Sequence, residues 1–239
     1  MSQDRRGATT TLNFRAELNK VVMTKPMDAI VQFLRARRWA RILLTAIIPG
    51  GLAVLAVALL GYPLYTNFSQ DRIQNRLKHE IASPALKQTY QARGAKVGDP
   101  LTRIVIPAIK LDVVVVEGTT PSALRAGAGH YPNTPLPCEG GNVAIAGHRT
   151  TYGKPFANVD LLHVGDVITL ETPIGVCTYQ VVQAPFVTLP DGKLANGTSV
   201  IDNSPGQSVL TLTACHPKGS ASHRIVIRAK LVKGQLGRA

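Results

Sequence analysis

A run of 21 residues without one charged side chain, Ile42 to Tyr62, constrains this chain more than any other feature. As a helix it would span roughly 30 Å, the thickness of bilayer hydrocarbon. A fully apolar run of this length is uncommon in a soluble core helix. A cleaved signal peptide is the stronger rival, because Ala56-Val57-Ala58 has the small-x-small form of a cleavage site. The basic region before the run is long for a signal peptide, however, so an uncleaved signal anchor is expected. Pro49, Gly50 and Gly51 are tolerated in such helices. Residues 1–41 hold nine Lys or Arg against three acids. Basic flanks stay cytoplasmic. Residues 1–41 are therefore expected to be a largely disordered cytoplasmic tail, and residues 42–62 a single-pass plasma-membrane anchor. Everything that follows is expected outside the cell.

The formal net charge is +13, and the part beyond the apolar run is itself basic. Such a charge suggests an anionic neighbour. The chain has no RNP aromatics, no zinc-finger spacing and no helix-turn-helix signal, so nucleic acid is not the expected partner. An anionic wall or membrane surface is the simpler reading. Residues 63–97 are polar and helical in pattern, broken at Pro84, and read as a stalk or N-terminal helix. From Gly98 to the end, short Val/Ile/Thr-rich runs alternate with Gly, Pro and Asn turns.

The candidate strands are Arg103–Ile106, Leu111–Glu117, Asn142–Gly147, Asp166–Glu171, Cys177–Phe186, Ser208–Ala214 and Arg224–Leu231. Thr120-Pro121 reads as an N-cap and first-turn proline before a short helix at Ser122–Arg125. Phe156–His163 is a second helical candidate. This pattern predicts a mainly β domain over residues 98–239, a barrel or a sandwich. With aromatics at only 5%, its core must be aliphatic.

Three cysteines are present, Cys138, Cys177 and Cys215. An odd count in an exported domain leaves one thiol over. A Cys138–Cys177 disulfide is chemically permitted, but nothing in the sequence brings the two together. Cys215 ends a strand beside a Pro/Gly loop, where reactive groups are commonly displayed. A lone cysteine is more often buried packing, so strand alternation has to decide. Leu210, Leu212 and Ala214 form the core face, which puts Cys215 with Val209, Thr211 and Thr213 on the more polar face. By the same test His148 falls opposite Val143 and Ile145, and Arg224 falls opposite Ile225 and Ile227. A Cys, a His and an Arg thus stand at strand ends, off the core.

The chemistry follows from the residue types. A thiol is a useful nucleophile only as thiolate. An imidazole activates it and protonates a leaving amine. A guanidinium stays protonated, so it can only stabilise or position. His216 and His223 compete with His148, since they flank the loop between Cys215 and Arg224. His79 lies in the stalk, and His130 and His163 lie in turns with structural alternatives. No Cys-x-x-Cys or His-Glu-x-x-His spacing occurs and the acids are scattered, so no metal and no cofactor is expected.

These motifs resemble the sortase family. Thr211-Leu-Thr-Ala-Cys215 is similar to the signature around the sortase nucleophile, with Ala214 where a Thr is common. Asn142-Val-Ala-Ile-Ala-Gly-His-Arg149 is similar to the strand ending at the catalytic His, and Arg224-Ile-Val-Ile227 to the strand that opens with the Arg. The resemblance runs from about Gly98 to Val232, and the stretches following His148 and Cys215 look most like class E. It implies a closed eight-stranded β-barrel with short helices. It implies a cysteine transpeptidase with Cys215 as nucleophile, His148 as general acid/base and Arg224 as oxyanion or positioning residue. The expected reaction cleaves a Leu-Ala-x-Thr-Gly or Leu-Pro-x-Thr-Gly signal between Thr and Gly. A thioacyl intermediate then passes to a cell-wall precursor amine, which anchors surface proteins. The resemblance links Tyr131, in the His-Tyr-Pro segment, to signal recognition. Thr213, on the nucleophile's face, is a candidate to line the groove. Thr150 and Tyr152, after His148, are candidates to shape the site. The rival readings are a hydrolytic cell-wall cysteine peptidase, an anchored binding module and a pilus-polymerising sortase. Arg224 argues against the peptidase, in which an acid or amide usually orients the His.

Overall fold

The strand pattern closes on itself in the computed structural model, which describes residues 28–32, 35, 38–204 and 206–236. The expected basic tail lies largely outside the described residues. Nine strands form one sheet: β1 Pro100–Ile106, β2 Leu111–Glu117, β3 Ala128–His130, β4 Gly141–Gly147, β5 Val167–Thr172, β6 Gly175–Val181, β7 Phe186–Thr188, β8 Ser208–His216 and β9 His223–Leu236. Their order is β6-β5-β1-β2-β3-β4-β8-β9-β7, and a further pairing of β6 with β9 closes the first eight into a barrel. β9 is long enough to hold β8 along one edge and both β6 and β7 along the other. Closure removes the unpaired edges of an open sheet.

The barrel is filled as alternation requires. Val143, Ile145, Leu210, Leu212, Ala214, Ile225, Ile227 and Ala229 all point into one aliphatic core, capped by Phe156 and Tyr179. The outer face of the same strands is buried too, but by polar contacts. Thr211 Oγ1 donates to Asn142 Oδ1 at 2.6 Å, and Arg228 Nη1 donates to Thr211 Oγ1 at 2.8 Å. Asn142 Nδ2 donates to the Val200 and Asp202 carbonyls, which fastens the long β7–β8 connection over the sheet.

Several sequence expectations shift in detail. The strand expected over Cys177–Phe186 breaks after Val181 and restarts at Phe186, because Pro185 has no N–H for the ladder. β3 was not foreseen, since three residues are too few to display a period. β9 runs five residues past Leu231, where backbone pairing with β6 continues without apolar alternation. The helix expected at Phe156–His163 is one 3-10 turn, Val159–Leu161. The short helix after Thr120 is present as Pro121–Ala126, with the Thr120 hydroxyl accepting from the Ala123 amide.

A helical run extends from Leu43 to Glu80, opening as π-helix over Leu43–Ile47 and continuing as α1 over Ile48–Glu80. By length and composition it is able to cross a membrane. The chain divides into two units at Gly61/Tyr62. Within the second unit, the part of α1 from Tyr62 onward packs against the barrel. Leu77 meets Val114, Val116 and Ala123 there. Gln74 completes the join: its Nε2 donates to the Val114 and Ala126 carbonyls, and its Oε1 accepts from the Val114 amide at 2.7 Å. α2, Pro84–Gln91, follows, capped by the Ser83 hydroxyl. The helix after Thr120 is α3 below.

Cys138 and Cys177 are joined as a disulfide, with Cα atoms 5.6 Å apart. Nothing in the spacing of these cysteines pairs them, because the loop before β4 and strand β6 meet only once the barrel closes. Both sulfurs sit beside the Leu170 carbonyl of β5. The crosslink spans 39 residues. In the chain-entropy account a loop of this size is worth up to about 4 kcal/mol. Replacing both cysteines by Ala is therefore expected to lower the unfolding free energy by as much as about 4 kcal/mol, read from urea denaturation of the purified chain.

Candidate active site

The site is assembled by register. β4 and β8 run parallel, with Gly147 opposite Ala214. One residue further along each strand come His148 and Cys215. β8 and β9 run antiparallel, with Cys215 directly opposite Arg224. Directly opposed side chains of this kind have Cβ atoms roughly 5 Å apart. His148, Cys215 and Arg224 therefore stand in a row across three adjacent strands, and all line one cleft of about 210 Å³. Tyr131 and Thr213 line it as well, joined by a hydroxyl contact of 3.1 Å. Leu124 of α3 contributes an apolar wall. Cys215 is the free cysteine among the described residues and is half-buried.

The competing histidines are placed elsewhere. His130 is buried between Glu117 Oε2, 2.9 Å from its Nδ1, and the Pro135 carbonyl, 2.9 Å from its Nε2. It bridges β2 and β3 to the loop before β4. His216 faces Arg149 and His223 faces Ser222. Neither lines the cleft with Cys215. His79 and His163 are exposed. Thr150 is exposed, whereas the Tyr152 ring lies 5.3 Å from the ring of His148. Tyr152 is held from behind by the Tyr62 hydroxyl at 3.2 Å.

A sortase domain model matches residues 104–232, more than half of the chain. The chain belongs to the sortase family. It is 32% identical over 163 residues to Sortase D of Bacillus subtilis, a match covering 65% of this chain and 78% of that one. Among solved structures it is similar to a Clostridium perfringens Sortase D5 transpeptidase, with TM-score 0.57 and 28% identity over 69% of this chain and 98% of that one. It is also similar to sortase E of Streptomyces avermitilis, with TM-score 0.52 and 35% identity over 59% of this chain and 93% of that one.

One residue of this sortase's site was not legible from spacing. Arg149 follows His148, so alternation turns it away from the cleft, and its side chain is only 2% exposed. A buried guanidinium needs partners. Its Nη2 pairs with Asp160 at 2.8 Å. Its Nη1 donates to the Cys215 carbonyl at 3.4 Å and faces His216 Nδ1, which must accept, at 3.2 Å. Arg149 thus ties the backbone of the cysteine to the segment after the histidine. Gly147 matters for a related reason. A Cβ there would come within 2.5–2.9 Å of the Phe156 ring, so only glycine lets that ring pack against the end of β4.

Arg224 does not point freely into solvent. Its Nη1 donates to the Ala221 and His223 carbonyls, which anchors the guanidinium on the loop that joins β8 to β9. His148 is held below the ordinary histidine pKa by burial, since a low-dielectric wall disfavours imidazolium.

Two outcomes follow from this geometry. Leu124→Ala opens the cleft wall and should raise the His148 pKa toward the usual value of about 6.5, as followed by NMR titration of the ring. An unchanged pKa would mean that Leu124 is not part of the wall that disfavours the imidazolium. Arg149→Gln removes the charge facing Asp160 and the fork between two segments. It should lower stability by roughly 1–3 kcal/mol, the cost of losing hydrogen bonds to a charged group, with Arg149→Lys restoring only part, in urea melts.

Proposed function

We propose that this sortase is a cysteine transpeptidase in which Cys215 is the nucleophile, His148 the general acid/base and Arg224 the stabiliser of the oxyanion. The observation that carries this reading is the row of three side chains, just past β4 and on β8 and β9, facing one cleft. Cys215 Sγ, as thiolate, attacks the carbonyl carbon of the scissile Thr. The negative charge that builds on the carbonyl oxygen is met by the guanidinium. The C–N bond to Gly then breaks, and His148 gives its proton to the leaving amine. An incoming amine attacks the thioester, His148 takes the amine's proton, and the thiolate leaves. Tyr131 and Thr213, linked across the cleft, are assigned to the signal peptide.

A Leu-Ala-x-Thr-Gly signal is proposed before Leu-Pro-x-Thr-Gly, on the class E resemblance of the sequence around His148 and Cys215. The 35% identity with a sortase E supports that class. The acceptor is proposed to be an amine of the cell-wall precursor. The apolar helix supports a membrane anchor over residues 42–62, with residues 1–41 cytoplasmic and residues 98–239 the extracellular catalytic domain. The Cys138–Cys177 disulfide favours an oxidising, extracytoplasmic location for that domain. Residues 63–97 are proposed to brace the catalytic unit rather than act as a free stalk, because Leu77 and Gln74 pack on the barrel.

The test is mass spectrometry of the protein incubated with a Leu-Ala-x-Thr-Gly peptide, with and without an added amine. A thioester adduct on Cys215 and amine-tagged product are expected. Cys215→Ala should abolish both, with turnover reduced by more than about 1,000-fold. Release of free acid alone, with amine present in excess, would leave a hydrolase instead.

A further inference from the structure

A transfer reaction has two substrates, and the cleft at Cys215 is small. A second groove of about 400 Å³ lies next to it, lined by Tyr62, Tyr65, Ser69, Ile73, Arg125 and Tyr152. The two cavities have no lining residue in common but adjoin at two places. On α3, Leu124 lines the cleft and the next residue, Arg125, lines the groove. After β4, His148 lines the cleft and Tyr152 lines the groove, with their rings 5.3 Å apart. Tyr152 is therefore the residue that stands between the groove and the imidazole.

The groove's chemistry is specific. Three tyrosines and a serine hydroxyl line the groove with one exposed guanidinium, which sits 5.8 Å from the Tyr152 ring. Among the described residues Arg125 makes no ion pair with a carboxylate. A guanidinium without an acid, set beside aromatic faces, suits a ligand that carries an anionic group.

We propose that this groove holds the acceptor substrate, a peptide with a free amine at one end and a carboxylate at the other. The carboxylate pairs with Arg125 and the amine reaches past Tyr152 to His148. This assignment rests on the transpeptidase reading above. On that reading the amine must lose a proton to His148 as it attacks the thioester, so an acceptor site has to border the histidine. Tyr131 and Thr213 line the cleft and not the groove. The tyrosines from α1, with Tyr62 closing on Tyr152 at 3.2 Å, make the N-terminal helix part of the binding site.

The experiment uses the full chain in detergent, as wild type, Arg125→Gln and Tyr65→Ala. Hydrolysis of the signal peptide is measured without amine. Transfer is measured with triglycine and with triglycinamide, which lacks the carboxylate. Hydrolysis should keep its kcat and KM in both variants. The KM for triglycine should rise about tenfold in Arg125→Gln, the loss expected for one charge-assisted contact. The KM for triglycinamide should be high already in the wild type and unmoved by that substitution. Tyr65→Ala should raise the KM for both acceptors. An unchanged triglycine KM in both variants overturns the proposal. A raised KM for the signal peptide in hydrolysis also overturns it, by assigning the groove to the signal. Absence of any thioester in the wild type would instead defeat the transpeptidase reading, and this proposal with it.

Discussion

The site depends on the registers on either side of β8. Parallel pairing with β4 sets His148 level with Cys215, and antiparallel pairing with β9 sets Arg224 opposite it. Neighbouring strands lie roughly 4.8 Å apart, so two strand residues and the first residue past β4 come together. The registers are in turn held by the core. Leu210, Leu212 and Ala214 point inward and are almost fully buried, which forces Thr211, Thr213 and Cys215 outward. A slip of one residue would exchange the two faces and bury the thiol. The outer face resists such a slip as well, because Thr211 is locked between Asn142 and Arg228.

This explains which parts were legible in the sequence. Period-two alternation identified the core faces of β4, β8 and β9 and put Cys215, His148 and Arg224 off them, but it left His216 and His223 as competitors of His148. Alternation carries no information about partners between distant strands. The Cys138–Cys177 bridge, the pairing of β6 with β9 and the brief strand β3 therefore emerge only from the closed barrel. Arg149 was missed for a related reason. Its neighbours Asp160 and His216 lie 11 and 67 positions away, and no local spacing announces a buried cation. The sequence signal available was a charge at a position where alternation demanded an apolar side chain.

The N-terminal helix is the part whose role changed most between pattern and structure. Its polar second half reads as a solvated stalk. Instead, Gln74 substitutes a side-chain amide for a missing strand partner at Val114, and Asn67 accepts from the Gly153 amide in the turn after His148. That turn holds Tyr152, Gly153 and Lys154 at positive φ. Two non-glycine residues there are strained, and the contacts from α1 hold the turn in place. The polar residues of the helix are thus complements to backbone groups of the domain. A helical wheel cannot distinguish them from residues that face water.

On the proposed reading, burial around His148 has opposite effects on the two halves of the reaction. It favours the neutral imidazole, the form needed to take a proton from an incoming amine. It disfavours the imidazolium, the form needed to protonate the leaving amine. The difficulty is met if the proton given to the leaving group is the one taken from the Cys215 thiol as the thiolate forms. One proton then passes from sulfur to His148 to the departing glycine, and the imidazole returns to neutral before the acceptor arrives. Such a route needs the histidine and cysteine on one face of adjacent strands, and it does not need a carboxylate behind the imidazole. Arg224 fits the same scheme. A permanent cation beside the thiol stabilises the thiolate and then the oxyanion without any proton of its own to lose.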